Sequence, residues 1–266
     1  MNAIVTAGGV PQPDQPLYKA ARGGYKAMID IAGKPMVQWV LDALGKSNDI
    51  ERVVLVGLPL ETGLDCSRPL TVLPDQGDMV SNIRAGAKEL LRQDPDVTHA
   101  ILASGDLPAL RAEIVDWLIC QAQDPEQDIY YTLVEQSVLE AGFPEIKRTY
   151  INLKDAKVTG GDLHCIRLQA AAEEGPLWER MVNNGGKPAR RAALLGYDTM
   201  FLLMLRQLSL ADAERTVCKR LGIRGKAVLS PYPEIGIDID KPHDLELIRE
   251  YLARRYEKSA SPTVKV

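Results

Sequence analysis

Aromatic side chains are scarce, at 5% of 266 residues with two phenylalanines, so a core built from this chain has to be aliphatic. Three histidines and four cysteines (Cys66, Cys120, Cys165, Cys218) are scattered, with no Cys-x-x-Cys pair and no histidine at ligand spacing from a cysteine. That excludes the usual zinc patterns and leads us to expect reduced thiols in a cytoplasmic protein. No apolar run approaches the ~20 residues of a membrane helix. The longest is "MFLLML" at 200–205, which covers every face of a helix and is expected to be buried or to meet a second subunit in a homodimer. Lys+Arg of 32 against Asp+Glu of 36 gives a net charge of −4, and no basic stripe is visible, so no nucleic-acid partner is expected. The opening "MNAIVTAGG" lacks the basic and long apolar segments of a signal peptide, and none is expected. Two phosphate-binding signatures are also absent. A Walker A loop would need glycine and Ser/Thr where Met28 and Pro35 stand, and no G-x-G-x-x-G occurs.

The alternation of elements is clear instead. "NAIVTA", "RVVLVG", "LTVLP", "HAILAS" and "DIYYTLVE" are short, nearly continuous apolar runs, as buried strands should be. Between them, Pro35–Leu44, Asp78–Gln93 and the stretch "RAEIVDWLICQA" carry apolar residues at helical spacing. This order predicts a mostly parallel sheet with helices on both faces. Such sheets bind ligands at the carboxyl ends of their strands. Further on, "TYINLKDAKVTGGDLHCIRL" reads as a hairpin or a pair of strands around "TGGD". Helices are predicted over Leu177–Asn183, Ala189–Gln207, Leu210–Leu221 and Pro242–Tyr256, with a strand in "GKAVLSPYPEIGIDIDKPHDLE". No linker separates domains, so residues 1–256 are expected to form one domain, with a helical insertion at 170–225 and a frayed tail at 257–266.

Some residues at the ends of these elements suit chemistry. Gly8-Gly9 follows the first strand, where bare backbone lets a nucleotide approach closely; an ordinary tight turn would use the same residues. Lys26 lies in the following loop, where a cation can face phosphates or simply solvent. Asp106, after "HAILAS", is either a Mg²⁺ ligand or the cap of a helix starting near Pro108. Asp238 and Asp240 alternate along a predicted strand end, so they should point to opposite faces, with one of them free to ligate a metal or cap the next helix.

The order of these pieces is more specific than any one of them. "TAGG", "KAMIDIAGKPMVQWVLDAL", "PDQGDMVSNIRAGAKEL", "ASGDLPAL", "TGGDLHCIR" and "IDIDKPHDLELI" together resemble the sugar-phosphate and cofactor nucleotidyltransferases, and most nearly the MobA-like NTP transferase group. The resemblance covers most of residues 3–165 and returns at 234–252. It implies a Rossmann-like, GT-A-like three-layer α/β/α fold with a C-terminal helical region. Residues 1–135 would form the nucleotide-binding half and 136–256 the acceptor half. The implied activity transfers a nucleotidyl group from an NTP to a phosphorylated small molecule and releases pyrophosphate, with Mg²⁺ or Mn²⁺ as cofactor.

The resemblance also implies roles for residues. Ala7, Gly8 and Gly9 would hold base and phosphates through their backbone, and Lys26 would contact the α-phosphate. Gln76, Gly77 and Ser81 fall where the base is read. Asp106 matches the metal-binding aspartate, and Asp238 with Asp240 the second ligand. Gly160, Gly161 and Asp162 would border the acceptor, with Lys147 and Arg148 near its phosphate. One departure stands out: the family places an arginine soon after the second glycine, whereas "VPQPDQPLY" occupies that stretch here and Lys26 comes 17 positions after Gly9. Lys19 or Arg22 would have to supply the missing charge, and without it the fold could serve as a non-catalytic nucleotide binder. A glycosyltransferase of the same fold would carry Asp-x-Asp where this chain has Ser104-Gly105-Asp106.

Overall fold

The computed structural model describes residues 1–173 and 207–260. The predicted helices Leu177–Asn183 and Ala189–Gln207, and the apolar run at 200–205 behind the homodimer expectation, lie wholly or almost wholly outside these residues.

The strands are β1 (Asn2–Thr6), β2 (Asp30–Ile31), β3 (Lys34–Pro35), β4 (Arg52–Val56), β5 (Leu70–Leu73), β6 (His99–Ser104), β7 (Ile129–Glu135), β8 (Ile151–Asn152), β9 (Lys157–Gly160), β10 (Leu163–Arg167) and β11 (Gly225–Ser230). β2 and β3 pair only with each other. The rest form one sheet in the order β5-β4-β1-β6-β10-β7-β9-β8, with β11 also paired to β7. Pairings β5-β4, β4-β1, β1-β6 and β7-β11 are parallel. The helices are α1 (Tyr18–Ala21), α2 (Met36–Lys46), α3 (Met79–Gln93), α4 (Ala112–Gln121), α5 (Gln136–Gly142), α6 (Leu168–Ala172), α7 (Leu210–Leu221) and α8 (Pro242–Ala260).

Alternation along β1 divides the core. Ala3 and Val5 face one layer with the apolar stripes of α2, α4 and α8, while Ile4 faces α3 and α6. α2 buries Met36, Val37, Val40, Leu41 and Leu44 completely. Truncating such a leucine to alanine costs about 2–5 kcal/mol. α3 crosses β1 closely because Gly86 stands at the contact, where a Cβ would come within 2.7 Å of Ile4 Cγ2.

The "TGGD" segment forms two strands but no hairpin. β9 and β10 both run antiparallel to β7, β9 beside Leu133–Glu135 and β10 beside Ile129–Tyr130. The chain bends between them at Gly161-Asp162, where Gly161 N–H donates to Thr132 O and Asp162 N–H to Ile235 O. The bend lets β10 leave β7 and run along β6, with Asp162 O accepting from Ser104 N–H at 3.0 Å. A side chain at Gly161 would put its Cβ 2.4 Å from Thr132 Oγ1, so only glycine fits. Register aligns Thr6 with both Val56 and Ser104, which brings the carboxyl ends of β1, β4 and β6 level.

Candidate active site at the strand ends

The level strand ends open into a cleft of about 320 Å³ lined by residues including Ala7, Gly8, Gly9, Lys26, Asp75, Gly77, Asn82 and Asp106. Gly57 ends β4 with φ of +114°, and a Cβ there would lie 2.2 Å from Gly8 N. The two turns therefore touch backbone to backbone, which requires glycine. On its other side, a Cβ on Gly8 would come within 2.8 Å of Asp75 Oδ1 and Asn82 Nδ2.

Asn82 projects from the first turns of α3 and is buried. Its Nδ2 donates to Asp75 Oδ1 at 2.8 Å, and its Oδ1 accepts from Gln76 N–H at 2.7 Å, so the amide fixes the loop that forms the cleft wall. Sequence reasoning missed Asp75 and Asn82. The available signal was an asparagine four residues before Gly86 on the inward face of an amphipathic helix. Asp78 caps α3, accepting from Val80 N–H and Ser81 N–H. Ser81 Oγ donates to the same aspartate at 2.6 Å, and the Gln76 side chain donates to Pro74 O.

The 17-position separation of Gly9 and Lys26 is closed in space, since Lys26 N–H donates to Gly9 O at 2.9 Å. The Lys26 ammonium lies 2.7 Å from Asp106 Oδ2 and 2.7 Å from Asp240 Oδ1. Burial works against that charge, but Asp106 and then Asp240 outweigh it and hold the pKa above that of an ordinary lysine. Asp106 Oδ1 accepts from Ser104 Oγ at 2.5 Å. Asp106 does not cap a helix: α4 begins at Ala112, with Arg111 at its N-cap.

Asp238 and Asp240 do not point to opposite faces. The segment after the 3₁₀ turn Pro233–Gly236 is not a strand, so no pleat separates the two carboxylates. Carboxylate oxygens of Asp106, Asp238 and Asp240 lie within 4.8 Å of one another. Arg148 donates through Nη2 to Asp238 O at 2.5 Å and lies 2.8 Å from Asp238 Oδ1. Its cation therefore braces the carboxylate cluster. Burial, offset in part by Arg148, together with Asp240 and Asp106 pushes Asp238 up to about 7. Against the pull of burial, Lys26 keeps Asp240 below its ordinary value. Asp162, beside this group at the β9–β10 bend, is pushed up to about 8 by burial and then by Asp238 and Asp106. Three hard oxygen donors with a cation already drawn between two of them suit Mg²⁺ or Mn²⁺.

The remaining candidates lie outside the cleft lining. Lys19, Arg22 and Lys147 are exposed, and Arg22 adopts the left-handed conformation at φ 52°. Gly160 lies under the Tyr131 hydroxyl, with that ring stacked on His164 at 4.4 Å. A larger groove of about 440 Å³, lined by Phe143, Ile146, Leu247 and Tyr251 among others, runs between the end of α5 and α8, and none of the candidate site residues lines it. All four cysteines are free. Among the described residues no helix is long and apolar enough to cross a membrane.

Known proteins resemble this chain in sequence and in fold. A hypothetical transferase from Thermus thermophilus is 34% identical, with a TM-score of 0.78 over 92% of this chain and 98% of that one. CMP:2-keto-3-deoxy-manno-octonic acid synthetase complexed with CTP superposes at a TM-score of 0.53 and 15% identity, covering 96% of this chain and 99% of its own. The 4-diphosphocytidyl-2C-methyl-D-erythritol synthase of Anaerococcus prevotii does so at 0.56 and 14%, covering 95% and 96%. These last two share the fold. None of the curated proteins compared with the chain matches it. The model of the MobA-like NTP transferase domain matches residues 3–141, more than half of the chain, and the chain belongs to that family of nucleotidyltransferases.

Proposed function

We propose that this protein transfers an NMP group from an NTP to a phosphorylated small-molecule acceptor and releases pyrophosphate, with Mg²⁺ or Mn²⁺ as cofactor. One observation carries the reading: Lys26 Nζ is held 2.7 Å from both Asp106 and Asp240 at the mouth of a glycine-walled cleft. Lysine, glycine backbone and a carboxylate group are what an NTP needs, because its phosphates must be cradled and their charge offset as the α–β bond breaks.

In this reading an acceptor phosphate oxygen attacks the α-phosphorus, the bond to the β-phosphate oxygen breaks, and pyrophosphate leaves. The acceptor phosphate is already ionised near neutral pH, so the step needs no general base. His164 is consistent with that: half-buried and stacked on Tyr131, its imidazole is pushed down to about 4 by desolvation, which leaves it a weak base. Asp106, Asp238 and Asp240 would hold the metal, which when bound offsets charge on the phosphate oxygens. Gly8 and Gly9 let the nucleotide lie against the main chain, and the Asp75–Asn82 pair fixes the wall opposite. Lys26 would offset negative charge at the α-phosphate. Arg148 would keep the Asp238 carboxylate in place.

A screen of the four common NTPs against sugar phosphates, polyol phosphates and phosphorylated cofactor precursors, read by pyrophosphate release, tests the proposal. Release that depends on both acceptor and divalent cation is the expected result. Tight NTP binding without release in any combination would refute it.

A further inference from the structure

Lys26 has a second position to fill besides the phosphates of a bound nucleotide. Its Nζ is 2.7 Å from carboxylate oxygens of two of the three residues that would hold a metal. An ammonium at that distance from each occupies the space and the charge that a divalent cation needs. The third carboxylate, on Asp238, is held by a different cation, Arg148, at 2.8 Å. The chain thus carries its own counter-ions for the cluster, one at the start of the 3₁₀ turn Lys26–Met28 and one just ahead of β8.

The two cations differ in how they are held. Arg148 also donates to a main-chain carbonyl, Asp238 O, which ties it down whatever the carboxylate does. Both polar contacts of the Lys26 side chain are to the carboxylates themselves. Only Lys26 can therefore leave without breaking another bond. A nucleotide in the cleft gives its ammonium somewhere to go, since Lys26, Gly8 and Gly9 line the same space.

We propose that Lys26 acts as a resident counter-ion that competes with the divalent cation for Asp106 and Asp240, so that metal binds weakly until a nucleotide's phosphates draw the lysine away. This rests on the nucleotidyltransferase reading and adds an order to it. Metal and nucleotide favour each other because metal frees the lysine for the phosphates and nucleotide frees the carboxylates for the metal, and the coupling is reciprocal. The device would discourage the cluster from holding metal in the absence of substrate.

Titration of the protein with Mn²⁺, followed by the paramagnetic resonance signal of the free ion without nucleotide, tests this. Lys26→Met should bind Mn²⁺ at least ~10-fold more tightly than wild type, within the usual range of coupling between sites. Lys26→Gln should do the same, which guards against misfolding of one variant. Adding Asp106→Asn to Lys26→Met should abolish the gain. Lys46→Met, which removes the same charge from an exposed site at the end of α2, should leave the affinity at the wild-type value. Equal Mn²⁺ affinity in wild type and both Lys26 variants would overturn the counter-ion role. If pyrophosphate release by wild type then persisted, the transferase reading would stand without it. No Mn²⁺ binding by any protein together with no pyrophosphate release would overturn both.

Discussion

The Asp106 carboxylate has two hydrogen-bonding partners, Ser104 Oγ and Lys26 Nζ, and both belong to the cleft. Its removal should therefore touch chemistry far more than folding. Asp106→Asn is expected to lower kcat by roughly 10³ or more, while Tm stays close to wild type. Calorimetry beside a turnover assay checks this; a large fall in Tm with activity intact would return the residue to a structural role. Asp162 gives a prediction of opposite kind. Its folded pKa is pushed up to about 8, well above the unfolded carboxylate value of about 4. Between those values the folded protein binds the extra proton, so stability contributed at this site falls as pH rises. Asp162→Asn removes that dependence. The variant should melt with wild type near about pH 4 and roughly 2–4 °C or more above it near about pH 8, in metal-free buffer. Equal melting temperatures at both pH values would show that the carboxyl is not desolvated.

The elements around the cleft make separable contributions. Asp78 caps α3 through Val80 and Ser81 N–H groups, so Asp78→Ala should cost about 1 kcal/mol, seen as a lower denaturant midpoint with unchanged slope. The segment 10–25 carries Pro11, Pro13 and Pro16, then Gly23-Gly24, and returns Lys26 beside Gly9. Lys19 and Arg22 are exposed on it, free to approach a phosphate that the cleft would hold. Arg22→Ala is expected to raise KM for the NTP and lower kcat, and NTP with Mg²⁺ should slow proteolysis of this segment. Identical cleavage rates with and without nucleotide, and wild-type kinetics for Arg22→Ala, would place the phosphate clamp elsewhere. Strands and helices of this half were legible because each is one apolar run with one period, as in β1 or α2. Of the two readings open at "TGGD", the pair of strands holds and the hairpin does not; the sequence left both open because two strands and a turn look the same locally whether they fold back or bend on. What decides it is β10 lying between β6 and β7, a contact far away in sequence. Asp238 and Asp240 were misread for a related reason: alternation implies opposite faces only on a pleat, and that segment has none. Arg148 carried no local sign of its pairing with Asp238, 90 positions on.

At the scale of the whole chain, the sheet joins what the sequence order separates. β10 from the second half fills the space between β6 and β7 of the first, and β9 and β11 complete both edges of β7. A chain cut after Glu135 would leave those edges unpaired and the layer beneath α8 open. It should fail to give a cooperative melt, whereas residues 1–260 should melt cooperatively; a well-dispersed amide spectrum from 1–135 alone would contradict this. The same interleaving brings Asp106, Asp162, Asp238 and Asp240 to one place, so the candidate site exists only when both halves are folded together. The central claim is that this place breaks the α–β bond of an NTP. The most direct measurement follows label from α-³²P- and γ-³²P-NTP in parallel, with the acceptor found in the pyrophosphate screen and divalent cation present. The account predicts that the α label enters the acceptor product and the γ label leaves as pyrophosphate, both lost in Asp106→Asn. Transfer of the γ label to the acceptor, or the same α-label transfer by Asp106→Asn as by wild type, would contradict it.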